Sequence, residues 1–219
     1  MGVLETALRI VQLGGNPERA GRVAEMRARF EARTGAFSPE DPWFEERSRA
    51  FWADAVTSGR FGRDVADALS HEERPWLGPL ERAHRGLFRV AAEGPRLVDV
   101  WSGAELEPTL VDESSRAELD AAAGQLFDGR VVGCEQPFVV ALLPGSVFHP
   151  PHATAVIGPV LAAARERGLT TNDTLDALLR MERTLRSLSR VKAAYAYRPE
   201  ALSPHAPALP VRRAAKAPT

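Results

Sequence analysis

Apolar residues recur at intervals of three and four through residues 1–85, alternate with polar ones from Gly86, and return to the helical interval after Pro150-Pro151. The pattern predicts an α+β chain: a helical N-terminal region (1–85), a small antiparallel five-stranded barrel or bent sheet (86–145), a C-terminal helical hairpin (146–202) and a disordered proline-rich basic tail (203–219). In the first region Leu4, Ala7, Leu8 and Val11 share a helical face that stops at Gly14-Gly15. Asn16-Pro17-Glu18 supplies a cap, a first-turn proline and an acid at the positive end of the next helix, which carries Val23, Met26 and Phe30 to Gly35. Asp41-Pro42 repeats the start signal ahead of Phe44, Phe51, Trp52 and Ala55, and shorter helices are predicted over 63–71 and around Trp76, Leu77 and Leu80.

In the middle region, 87–90, 97–101 and 104–110 read as a meander turning at Glu93-Gly94-Pro95 and Ser102-Gly103. A short helix over 114–123 and two further strands, 125–134 and 137–143, complete the set. Five short antiparallel strands must curl or close, because an isolated hairpin is marginal. After the proline pair, Val156, Ile157, Val160, Leu161 and Ala164 line one helix up to Gly168. Thr171-Asn172 caps a second helix, whose stripe of Leu175, Leu178, Leu179, Leu185 and Leu188 runs to Arg190; residues 191–197 fit either a helix or a strand.

Composition narrows the class of protein more than it identifies one. The 219 residues are 44% hydrophobic and 26% charged with a formal net charge of −1, which gives no global attraction to nucleic acid or to an acidic membrane. One cysteine, Cys134, excludes an internal disulfide and a CxxC zinc site, so the expected location is a reducing compartment, the cytoplasm. The opening Met1–Glu5 lacks the charged-then-apolar pattern of a secretory signal, and no window reaches the ~18 consecutive apolar residues of a membrane span. Association with a membrane is not expected.

No GxGxxG follows a strand, and GxxxxGK[ST] and GxSxG are absent, so no cofactor and no catalytic residue is assigned. His149 and His152, three apart at a helix entry, are the suggestive pair for a metal, but the intervening prolines hold the segment extended and no third ligand lies nearby. His71-Glu72-Glu73 lacks the second histidine of a zincin motif and reads as a solvated helix boundary. Cys134, between Val131-Val132 and Phe138-Val139, reads as a small core residue. Asp99, Asp112, Glu113, Asp120 and Asp128 are scattered carboxylates whose plain reading is turn formation and solubility.

Charge is unevenly placed. Residues 180–219 hold nine basic groups and two acids, net +7, which leaves −8 on the first 179. Arg183, Arg186 and Arg190 share a helical face, and Lys192, Tyr195 and Tyr197 follow it. Such a stripe would attract a phosphate backbone while the tyrosines stack on bases, or it would meet an acidic protein.

The segment Asp99-Val100-Trp101-Ser102-Gly103-Ala104-Glu105, with Phe127-Asp128-Gly129-Arg130, Phe148-His149-Pro150 and the arginine-rich run from Met181 to Lys192, resembles uncharacterised proteins of myxobacteria and related GC-rich bacteria over residues 30 to 200. The resemblance implies no activity, cofactor or site residue. The leading expectation is therefore a non-enzymatic adaptor that binds a protein partner through Arg183, Arg186, Arg190, Lys192, Tyr195 and Tyr197, with Trp43, Trp52 and Trp76 as anchors if exposed. The alternatives are a nucleic-acid-binding protein using the same face, and a metal-dependent enzyme around His149 and His152.

Overall fold

The computed structural model describes residues 2–92, 96–108, 119–135, 138–188 and 191–203. The turn at 93–95, most of the helix expected over 114–123, Arg190 and the tail from 204 onward lie outside the described residues. Five helices come first: α1 (Val3–Gly14), α2 (Ala20–Thr34), α3 (Phe44–Val56), α4 (Phe61–Asp64) and α5 (Leu77–Glu81). Asn16 caps the entry to α2 by accepting the Glu18 N–H at 3.1 Å, and Gly35 ends that helix with a φ of 94°. The buried stripe of α1 is Val3, Ala7 and Ile10, whereas Leu8, expected on the apolar face, is 52% exposed. Leu4 and Val11 sit at the edge of that stripe, so the face is rotated by roughly one residue from the expected one.

The sheet contains β1 (His84–Val90), β2 (Leu97–Asp99), β3 (Glu105–Leu106), β4 (Leu126–Glu135), β5 (Phe138–Leu142) and β6 (Val147–Phe148). Its order is β3-β2-β1-β4-β5, antiparallel throughout, with β6 paired to β4. β3 and β5 stand at opposite ends of this path, so the outcome is a curled half-barrel and not a closed barrel; β6 is a sixth strand beyond the five expected. Gly86 and Gly129, paired directly across β1 and β4, permit the tight inner surface. A Cβ on either would meet the ring of Phe88 or Phe127 at 2.8 and 2.6 Å.

Alternation gives the sheet two faces. The inner face is apolar, with Phe88, Val90, Leu97, Phe127 and Val131 packed on Leu119 and Ala122. On the outer face Val132, Ala141 and Leu143 join the core of the N-terminal helices, together with Leu179 from the C-terminal part. Leu87 and Leu126 join a second core with α6 (Thr154–Glu166), α7 (Thr171–Ser187) and α8 (Ala193–Ala196). The N-terminal helices and the sheet therefore share one core. Residues 191–197, ambiguous in sequence, form the short helix α8, and the cap of α7 is Thr170, one residue before the expected Thr171. Among the described residues, no helix is long and apolar enough to cross a membrane.

Candidate functional site

Where the inner face opens at one end of the sheet, a cavity of about 500 Å³ is lined by Arg82, His84, Asp99, Ser102, Ala104, Leu106, Val131, Gly133 and Val140. Strand register explains this membership. His84 pairs with Val131, Gly133 with Val140, Phe88 with Asp99 and Leu97 with Leu106, and residues paired directly opposite one another lie on one face. The volume falls within the range of small-molecule sites, and the mixture of apolar walls with a few converging polar groups is the usual one.

Asp99 organises the polar side of this cavity. Its side chain is 1–2% exposed, and it accepts the Trp101 N–H at 2.9 Å, the Ser102 hydroxyl at 2.7 Å and a ring nitrogen, Nε2, of His84 at 3.0 Å. Burial works against the carboxylate, but these three donors outweigh it and hold Asp99 below its ordinary value. An ionised carboxylate only accepts, so neutral His84 carries its proton on Nε2 and keeps a lone pair on Nδ1. The His84 side chain is 54% exposed, within reach of water. Arg82, two residues earlier, is exposed, and its guanidinium makes no hydrogen bond or ion pair among the described residues. The turn carrying Asp99 and Ser102 is tied to α6 by Arg165, which lies 4.9 Å over the Trp101 ring and donates to the Trp101 carbonyl at 3.0 Å.

Behind the sheet, on its outer face, charges are buried where the three parts of the chain meet. Arg85 and Arg130 are paired directly across β1 and β4, a repulsive placement that three carboxylates neutralise. Arg85 forks onto Asp128 at 2.6 to 3.2 Å and reaches Asp176 of α7 at 2.7 Å. Arg130 donates to Asp54 of α3 at 2.8 Å, and Arg33 of α2 bridges Asp54 and Asp176 at 2.6 and 3.1 Å. Burial opposes the charges of Arg85, Asp128 and Arg130. Asp128 and Asp176 nevertheless raise Arg85, and Arg85 leads the charges that lower Asp128, while burial and the charge of Arg85 depress Arg130.

Nearby, Arg47 is 1% exposed and pairs with Glu182, which also takes Arg186. His149 is fully buried; its Nδ1 lies 2.8 Å from the Tyr197 hydroxyl and its Nε2 has no hydrogen-bond partner. Burial pushes His149 down to about 4 and Tyr197 upward, so both are neutral at pH 7.

The residues expected to form a contact face are not one surface. Tyr197 is 2% exposed and packed in the second core, so it is not available to stack on a base. Arg186 pairs with Glu46 at 2.7 Å as well as with Glu182, which commits its charge inside the molecule. Arg183 lies over Gly35, where a Cβ would come within 2.9 Å of its Cδ. Lys192 and Tyr195 are exposed, and Arg190 lies outside the described residues. Of the proposed tryptophan anchors, Trp76 is 9% exposed and Trp52 packs between Phe51 and Phe61 at 5.0 and 6.0 Å, while Trp43 is half-buried.

His149 and His152 do not make a matched pair, since the first is enclosed and the second exposed. No group of three metal-ligating side chains occurs among the described residues. Asp128, read as a solubilising carboxylate, is instead 2% exposed in mid-strand.

The His84–Asp99 pair is hidden in the sequence because the alternating pattern begins only at Gly86, whereas β1 begins at His84. The available signal was the Asp-x-x-Ser spacing of Asp99 and Ser102 ahead of Gly103, a side-chain-closed turn. No protein family, curated protein or solved structure matches this chain.

Proposed function

We propose that this protein binds a small amphipathic molecule with a carboxylate head in the mouth of its curled sheet. One observation carries the reading: an uncommitted guanidinium, Arg82, and a pinned imidazole, His84, border a cavity of about 500 Å³ whose other walls include Ala104, Leu106, Val131 and Val140. The Arg82 guanidinium suits an anionic head, and the aliphatic walls suit its hydrocarbon body. An adaptor or nucleic-acid role for the arginine face has less support, because Arg186 is spent on Glu46 and Glu182 and Tyr197 is buried. Lys192 and Tyr195 are what remains of that surface. We place the protein in a reducing compartment, the cytoplasm, on its single cysteine.

Titration with octanoate, followed by amide NMR, tests the binding. Shifts are expected at Ala104, Leu106, Val131, Gly133 and Val140, with affinity weakened about tenfold or more in Arg82→Ala, the value of one charge-assisted hydrogen bond. Octanol of the same chain length should bind more weakly than octanoate. An absence of shifts at millimolar octanoate, or equal binding of octanol, would overturn the reading.

A further inference from the structure

We propose that His84 is a general base for hydrolysis, activating water against carboxylic esters held in this same cavity, with Asp99 as its positioning residue. The inference rests on the binding site proposed above, since the acid released by such a reaction is the ligand that site suits. Three features point to it. The His84 ring is fixed through Nε2 on a buried carboxylate at 3.0 Å, which leaves Nδ1 as the basic atom. That ring both lines the cavity and is open to solvent, so water and a bound acyl group can meet beside it. Arg82 lines the same cavity with its guanidinium in no ion pair or side-chain hydrogen bond among the described residues, and can stabilise negative charge that develops on a carbonyl oxygen.

The step balances without a further reactant. The water oxygen bonds to the ester carbonyl carbon as its proton passes to His84 Nδ1, and the carbonyl π pair moves onto oxygen to form a tetrahedral oxyanion facing Arg82. Collapse of that intermediate breaks the bond to the alkoxy oxygen, which takes the proton back from Nδ1 and leaves as the alcohol. A serine route is not what the geometry offers, because the Ser102 hydroxyl donates at 2.7 Å to the carboxylate of Asp99, a weak base, and not to an imidazole. Asp99 holds the imidazole in its tautomer and balances the imidazolium formed during attack.

The test compares hydrolysis of p-nitrophenyl octanoate and p-nitrophenyl acetate by the full chain and by variants. Wild-type protein should favour the octanoyl ester in kcat/KM and exceed the same concentration of free imidazole. His84→Ala should lose about 100-fold, the lower end of general-base contributions, and added imidazole should restore part of the rate. His71→Ala and His152→Ala, both exposed and neither lining the cavity, should leave the rate unchanged. Asp99→Asn should lower kcat and displace the pH profile with little change in KM, which a purely structural loss would not do.

A wild-type rate no greater than that of free imidazole, or an unaltered rate in His84→Ala, overturns the proposal. If octanoate still binds at the cavity in that event, the binding site stands without the activity; if octanoate fails to bind, both fall.

Discussion

Replacing Arg85 with methionine exposes how much of the fold depends on the buried charges behind the sheet. Asp128 receives all of its side-chain hydrogen bonds among the described residues from Arg85, at 3.1, 3.2 and 2.6 Å, while Asp176 would keep Arg33 at 3.1 Å. Arg130, paired opposite Arg85, donates to Asp54 and makes no hydrogen bond with Asp128. The substitution therefore strands one carboxylate that is 2% exposed, a change worth about 3 to 5 kcal/mol when one member of a buried pair is removed. Against a total stability of roughly 5 to 15 kcal/mol, that is a large fraction of the whole.

Urea unfolding at pH 7 measures it, with an unchanged slope showing that the same surface is exposed. The double variant Arg85→Met with Asp128→Leu removes both desolvation penalties and should regain most of the loss, to within about 1 kcal/mol of wild type. A double-mutant cycle then yields a large favourable coupling. The reasoning is refuted if Arg85→Met costs less than about 1 kcal/mol, or if the two losses simply add.

Two further outcomes follow from buried groups and backbone. His149 sits at about 4 when folded against an ordinary 6.5, so the unfolded chain takes up the proton first as acid is added. Its contribution is complete above 6.5, erodes as pH falls, and is gone near 4, a loss of about 3 kcal/mol; His149→Gln should flatten stability over that window, and an identical pH slope in both proteins would contradict this. Gly145 has a φ of +107°, and a Cβ there would lie 2.5 Å from the Arg49 carbonyl oxygen in α3, so Gly145→Ala should lower stability by about 2 kcal/mol or more in the same urea assay, whereas a neutral result would mean that the turn and α3 move apart freely.

The periodic parts of the chain were legible because local chemistry dictates them. Met26 and Phe30 at a helical interval and Gly35 ending α2 each depend on neighbours within a turn or two, and appear where their spacing places them. The exceptions have specific causes. Gly86 resembles punctuation in a one-dimensional pattern, but in the sheet it stands opposite Gly129 so that two phenylalanine rings can lie over the strands, and β1 begins at His84 instead. The two-residue strand β6 is too short to carry a period at all, and exists because Phe127 and Asp128 offer it an edge.

The arginines show most plainly why the candidate site was not legible. By spacing alone Arg183 and Arg186 form a basic stripe, but a helix in a folded protein meets other chain segments, and Glu46, 140 residues before Arg186, takes its charge. Likewise Arg47 and Asp54 are polar residues of α3, yet both are buried because their partners arrive from α7 and β4. Sequence by itself determined the α+β class, the main order of helices and strands, the Asn16 cap and stops such as Gly35, since these follow from short-range hydrogen bonding and side-chain periodicity. Tertiary structure alone decided which charges face solvent, which histidine is pinned and which is entombed, and which strand ends enclose a cavity, because each is a meeting of residues tens of positions apart whose energy depends on burial.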